Sequence, residues 1–208
     1  MSTIYDITPL VSPRLAVWPG DNAMEREVLL DMAKGDSLTL STLRATVHLG
    51  AHADAPSHYG KTARTIEAQP LSPYLGPCQV VTADVGRGVR VTPRDLASEL
   101  SESRVLIRTG TYPNSDEFNE DFAALLPELI DTFAASKGQL VGIDTPSVDL
   151  FESKELPSHQ AALRHDLALL EGIRLEGVPD GVYELIALPL KLEGFDASPV
   201  RAILRTMP

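Results

Sequence analysis

The chain has 208 residues, 43% of them hydrophobic, and a formal net charge of −11, from 18 Lys and Arg against 29 Asp and Glu. A chain of this length can bury about two-thirds of its unfolded surface, so one domain spanning residues 1–208 is expected. The acidity argues against nucleic acid, whose binding depends on cations neutralising phosphates, and the single cysteine, Cys78, excludes an internal disulfide and a cysteine-rich zinc cluster.

No window approaches the roughly 18 apolar residues of a membrane span. The opening MSTIYDITPL lacks the basic start and apolar core of a secretory signal. A soluble, cytoplasmic protein with no membrane partner is expected.

In chain order, residues 1–24 read as an extended arm, because Pro9, Pro13 and Pro19 disfavour helix, with a strand near residues 4–7. Trp18 sits in the turn-like VWPGD, where a large ring either faces a pocket or packs the arm. Hydrophobic alternation predicts strands over residues 25–32, 38–47, 79–85, 105–109, 140–143, 183–192 and 200–204. Helical periodicity covers 93–100, 119–136 with Gly138 as its stop, and the stretch after Leu156. Strands in a run, followed by strands alternating with helices, predict a mixed α/β domain rather than a regular doubly wound one.

All five histidines fall in two places: His48, His52 and His58 in HLGAHADAPSH, and His159 and His165 in PSHQAALRH. Imidazole and carboxylate suit zinc, manganese and similar divalent ions. Taken singly, each histidine is as readily a polar loop residue; the crowding with Asp54 is what points to metal. Gly50, Ala51, Ala53 and Ala55 keep this stretch uncrowded, and Pro56 stops a helix from continuing through it.

His48, His52 and Asp54 leave a cation short of donors, and His159 and Glu171 are the candidates to complete it. In one continuous helix their twelve-residue separation sets them roughly 120° apart. A helix to about His165, a turn at Asp166 and a strand through Leu167 to Leu170 instead returns Glu171 towards His159. His165 is then an exposed helix residue. By spacing alone, His58 is either a further ligand or an acid/base.

Gly35-Asp36-Ser37-Leu38 spells the nucleophile motif of a serine-esterase family, a different chemistry. That mechanism needs a histidine near the C-terminus, and residues 166–208 contain none. The tetrapeptide is read as a turn.

HLGAHADAPSH resembles the His-x-Gly-x-His-x-Asp-x-Pro-x-His signature of the cyclase-like metal hydrolase family. The resemblance extends through IYDITP, VWPGD, YLGPC, GIDTPSVD, ALLEGI and ELIALPLKLEGFDASPVRAIL. It implies a swivelling β/β/α fold, a homodimer and two divalent ions per subunit, zinc being the expected metal. His48, His52 and Asp54 correspond to ligands of the first ion; Asp54 also bridges to the second, whose histidine matches His159. Glu171 matches the glutamate contacting both ions, His58 the acid/base, and Trp18 a substrate contact. The implied activity is hydrolysis of N-formyl-L-kynurenine to L-kynurenine and formate in tryptophan degradation. Alternatives are a family member acting on another aromatic or cyclic amide, and a non-catalytic metal-binding protein.

Overall fold

The computed structural model describes residues 2–207. Its strands are β1 (Ile4–Asp6), β2 (Glu25–Leu30), β3 (Leu40–Arg44), β4 (His52–Asp54), β5 (Leu75–Thr82), β6 (Arg90–Val91), β7 (Arg104–Arg108) and β8 (Ala124–Leu125). Helix α1 (Pro127–Ala135), β9 (Leu140–Ile143), α2 (Pro157–His165), β10 (Ala168–Glu171), β11 (Gly181–Ile186), β12 (Ala197–Pro199) and β13 (Ile203–Thr206) follow.

Nine strands form one curled mixed sheet in the order β1-β13-β11-β5-β7-β9-β10-β4-β12. The centre, β5-β7-β9-β10, is parallel, and α1 and α2 lie on the crossovers into β9 and β10. Parallel strands covered on both faces read as near-continuous apolar runs, as LVGI of β9 and the apolar residues of RVLIR in β7 do. Side chains alternate between the faces. Val80, Leu106 and Leu170 join Ile7, Tyr74 and Leu204 on one side; Val81, Val105, Ile107 and Leu169 meet Leu129, Ile130 and Phe133 of α1 and Ala161 and Ala162 of α2 on the other.

The expected mixed α/β class is the one observed, and several boundaries move. Residues 93–100 form one 3-10 turn, Pro93–Asp95, closed by a Thr92–Asp95 capping box. The chain then runs extended beside β5, with Ala97 N–H donating to Thr82 O at 2.8 Å. Residues 119–126 are not helical; Leu126 is extended because a residue before proline avoids helical geometry, and Pro127 opens α1. Lys137 rather than Gly138 takes the left-handed conformation after α1, at φ 70. Pro56 opens a 3-10 turn, Pro56–His58. The strand expected at 183–192 ends at Ile186, and that expected at 79–85 starts earlier, at Leu75, and ends at Thr82.

β2 and β3 make a separate two-stranded hairpin, exposed at every position. Gly35 lies at its tip with φ 98, and Ser37 is exposed there. No histidine is on this hairpin, so the GDSL tetrapeptide is a turn.

Candidate metal centre

The centre starts from strand register. His52 and Asp54 are two residues apart on β4 and therefore share a face. β10 runs antiparallel beside it, pairing Glu171 with His52 and Leu169 with Asp54, so Glu171 emerges on that same face. Leu169 belongs to the apolar layer under α2, and α2 carries His159 over it. The break in chain direction comes at Asp166, in left-handed conformation at φ 54. Strand β4 itself, read from sequence as a loop, is what aligns these ligand candidates.

Two glycines let the segments meet. Gly50 has φ 57 and Gly172 φ 65, and a Cβ on Gly172 would lie 2.2 Å from the Gly50 carbonyl oxygen. A side chain there forces β4 and β10 apart. The turn also frees the Gly50 carbonyl to hold His52 Nδ1, at 2.8 Å.

With Nδ1 engaged, His52 Nε2 points at the acids, 3.5 Å from Asp54 Oδ1 and 3.4 Å from Glu171 Oε2. His159 behaves alike: Nδ1 meets Asp149 Oδ2 at 2.9 Å, and Nε2 lies 3.4 Å from Asp54 Oδ2 and 3.5 Å from Glu171 Oε1. His48 Nδ1 lies 3.2 Å from Asp54 Oδ1. Glu171 Oε1 accepts from the Val148 N–H at 2.7 Å. His48, His52, Asp54, His58, His159 and Glu171 are thus brought together, whereas His165 is outside, bonded to Asp131 at 2.8 Å.

His52 Nε2 and both Asp54 oxygens are buried without a hydrogen-bond partner. A fully buried carboxylate left so costs several kcal/mol unless a cation compensates it. Separations of 3.2 to 3.5 Å suit donor atoms sharing one ion at about 2.1 Å from each. Two donor groups, His48-Asp54-His58 and His52-Asp54-Glu171, share Asp54. The donor set therefore fits a divalent metal.

Charge agrees with geometry. Burial opposes protonation of His48, yet the Asp54 and Asp196 carboxylates prevail and raise it to about 9. Burial is likewise outweighed at His159, where Asp149, Asp54 and Glu171 raise the imidazole to about 10. Asp54 is held well below the usual carboxylate range, its burial overcome by His159 and His48. A field this negative attracts protons and metal cations to the same atoms.

Two acids passed over in the sequence complete the surroundings. Asp149, fully buried, accepts from the backbone N–H of Ser158 and His159 and pairs with Arg90 at 2.8 Å, fixing the His159 ring from behind. Asp196 Oδ2 lies 3.1 Å from both His48 Nε2 and His58 Nδ1. Both acids sit in turn-like sequence, GIDTPSVD and EGFDASP, and only their nearness to distant histidines distinguishes them.

The centre opens into a cavity of about 450 Å³ lined by His48, His52, His58, His159 and Glu171 below and by Trp18, Tyr112 and Phe118 above. Trp18 packs at 5.0 Å from Phe151 and 5.5 Å from Phe118 between ring centroids, while one side faces the cavity. Leu156 lines it too, in left-handed conformation at φ 47, a strained geometry for a bulky residue.

Comparison with known proteins agrees with this geometry. The family model described as "Putative cyclase" matches residues 5–150. Over 210 residues and the full length of both chains, the protein is 44% identical to "Kynurenine formamidase" of Maricaulis maris (strain MCS10). Two solved structures, "The Structure Of Potential Metal-Dependent Hydrolase With Cyclase Activity" and "The structure of predicted metal-dependent hydrolase from Bacillus stearothermophilus", superpose with TM-scores of 0.87 and 0.84. Each is 27% identical, and the match covers all of both chains. The chain belongs to the cyclase family of metal-dependent hydrolases.

Proposed function

We propose that this protein hydrolyses N-formyl-L-kynurenine to L-kynurenine and formate in tryptophan degradation, as a zinc-dependent arylformamidase using two ions per chain. The observation that carries this reading is the set of unpartnered buried donors on His52 and Asp54, with His52 lining an aromatic-walled cavity and Asp54 directly beside it. The full-length likeness to a protein named kynurenine formamidase supplies the substrate.

His48, His52 and Asp54 would hold one ion, and His159 and Glu171, together with Asp54, would hold the other. When bound, such ions acidify water towards a pKa of about 7 and polarise a carbonyl oxygen. The chain's own residues supply the remaining work. Trp18 stacks on the aryl ring and orients the formyl group towards the floor. The His58 side chain, one-third exposed, takes a proton as water oxygen bonds to the formyl carbon. It returns that proton to the aryl nitrogen as the C–N bond breaks, so the amine leaves neutral. Asp196, 3.1 Å from His58 Nδ1, orients the ring and leaves Nε2 for this transfer.

The protein is read further as a cytoplasmic homodimer joined through the β2–β3 hairpin. Support comes from Val28, Leu29, Leu30, Met32, Leu38, Leu40 and Leu43, all exposed on or beside it, an apolar density unusual on a free surface. Among the described residues, no helix is long and apolar enough to cross a membrane. The test of the function is formate release from N-formyl-L-kynurenine by the purified protein; no release at any metal supplement removes the substrate assignment.

A further inference from the structure

The proposed substrate carries its formyl group at one end and an amino-acid carboxylate at the other. The floor of the cavity serves the first, and something at the rim must recognise the second. Among the described residues lining the cavity, Arg174 is the only Lys or Arg. It follows Glu171 by three residues, so the two Cα atoms are at most about 11 Å apart, and both residues line the same cavity.

Local structure fixes the backbone and leaves the guanidinium available. The Arg174 N–H donates to Ile7 O at 2.8 Å, anchoring the main chain to the core. The side chain's one hydrogen-bond partner is Glu176 Oε2, at 3.0 Å, in a pair with relative exposures of 48% and 83%. Exposed pairs of this kind are weak and exchange readily for a better anion. Arg108, which lines an adjoining cavity, is committed by contrast to the Leu175 and Val178 carbonyls and to Asp180. Arg174 lines both cavities, at their junction.

We infer that Arg174 is the specificity residue for the substrate's carboxylate, selecting arylformamides whose side arm carries a carboxylate over those without one. This rests on the arylformamidase reading. A guanidinium matches a carboxylate with two parallel N–H donors.

The test compares kcat and KM on N-formyl-L-kynurenine and on formanilide, which has the same scissile bond and no carboxylate, for wild type, Arg174→Ala and Arg174→Lys. The expected result is a loss of about 10- to 100-fold in kcat/KM on N-formyl-L-kynurenine for Arg174→Ala, mainly through KM. Formanilide turnover is unchanged, and Arg174→Lys is intermediate. An active wild type whose preference between the two substrates survives in Arg174→Ala overturns the inference alone. A wild type inactive on both substrates overturns the underlying functional reading and the inference with it.

Discussion

Replacing Asp149 with Asn measures how much of the metal centre depends on the carboxylate behind His159. Asp149 is fully buried and accepts from Ser158 N–H at 3.0 Å, His159 N–H at 3.0 Å and His159 Nδ1 at 2.9 Å. Burial works against its charge, but His159 and Ser158 prevail, and the carboxyl titrates at about 2 against an ordinary 3.8. Allowing for some screening, that difference contributes about 2 kcal/mol at neutral pH. Asn keeps one acceptor but turns an N–H towards other donors, adding about 1–3 kcal/mol. The sum, about 3–5 kcal/mol, is what breaking a buried ion pair costs, and for a chain of this size it lowers Tm by roughly 10 °C. Loss of the carboxylate behind His159, a ligand in the proposed centre, should also weaken metal binding about 10- to 100-fold. Because the folded value is depressed, the contribution is present above about pH 4 and fades as pH falls towards 2. The gap between wild type and variant should therefore narrow in acid by about 2 kcal/mol, leaving the amide contribution. Thermal melts of chelator-treated protein across pH, with zinc competition titrations, provide the assay. A variant within 1 kcal/mol of wild type at pH 7, with unchanged zinc affinity, refutes the reasoning.

Other substitutions separate the remaining roles. His52→Ala should lose both metal and turnover, whereas His58→Ala should retain metal and lose about 10²- to 10⁴-fold in kcat; metal analysis beside rate measurement decides, and metal loss in His58→Ala makes His58 a ligand. Trp18→Ala should raise KM for N-formyl-L-kynurenine and destabilise the arm by about 1–3 kcal/mol, since the ring both lines the cavity and packs on Phe151. Reduced stability with unchanged KM assigns it to packing alone. Leu43→Glu, on the exposed hairpin, should shift the protein from dimer to monomer in sedimentation velocity, and a monomeric wild type contradicts the proposed contact.

The residues of the candidate site were more legible in the sequence than the elements that carry them. Five histidines in two clusters are visible without a fold, and Asp166 before an apolar run marked the turn that separates α2 from β10. The His52–Asp54 strand was not visible, because a three-residue strand with buried polar side chains is defined by its partners at Leu169–Glu171 and Ala197–Pro199. The periodicity over residues 119–126 was satisfied by buried extended chain instead of helix, and Pro127 was the signal that outranked it. Asp149, Asp196 and Arg174 carried no local mark. Each matters through a group, or a cavity floor, supplied by another part of the chain.

The most direct test strips the purified protein with a chelator, titrates zinc back under equilibrium dialysis, and follows formate release from N-formyl-L-kynurenine at each loading. Two ions bound per chain, no turnover in the stripped protein and recovery with loading are the expected results. Full turnover after metal has been removed to below stoichiometric traces contradicts a reaction that depends on cations held by Asp54 and its neighbours.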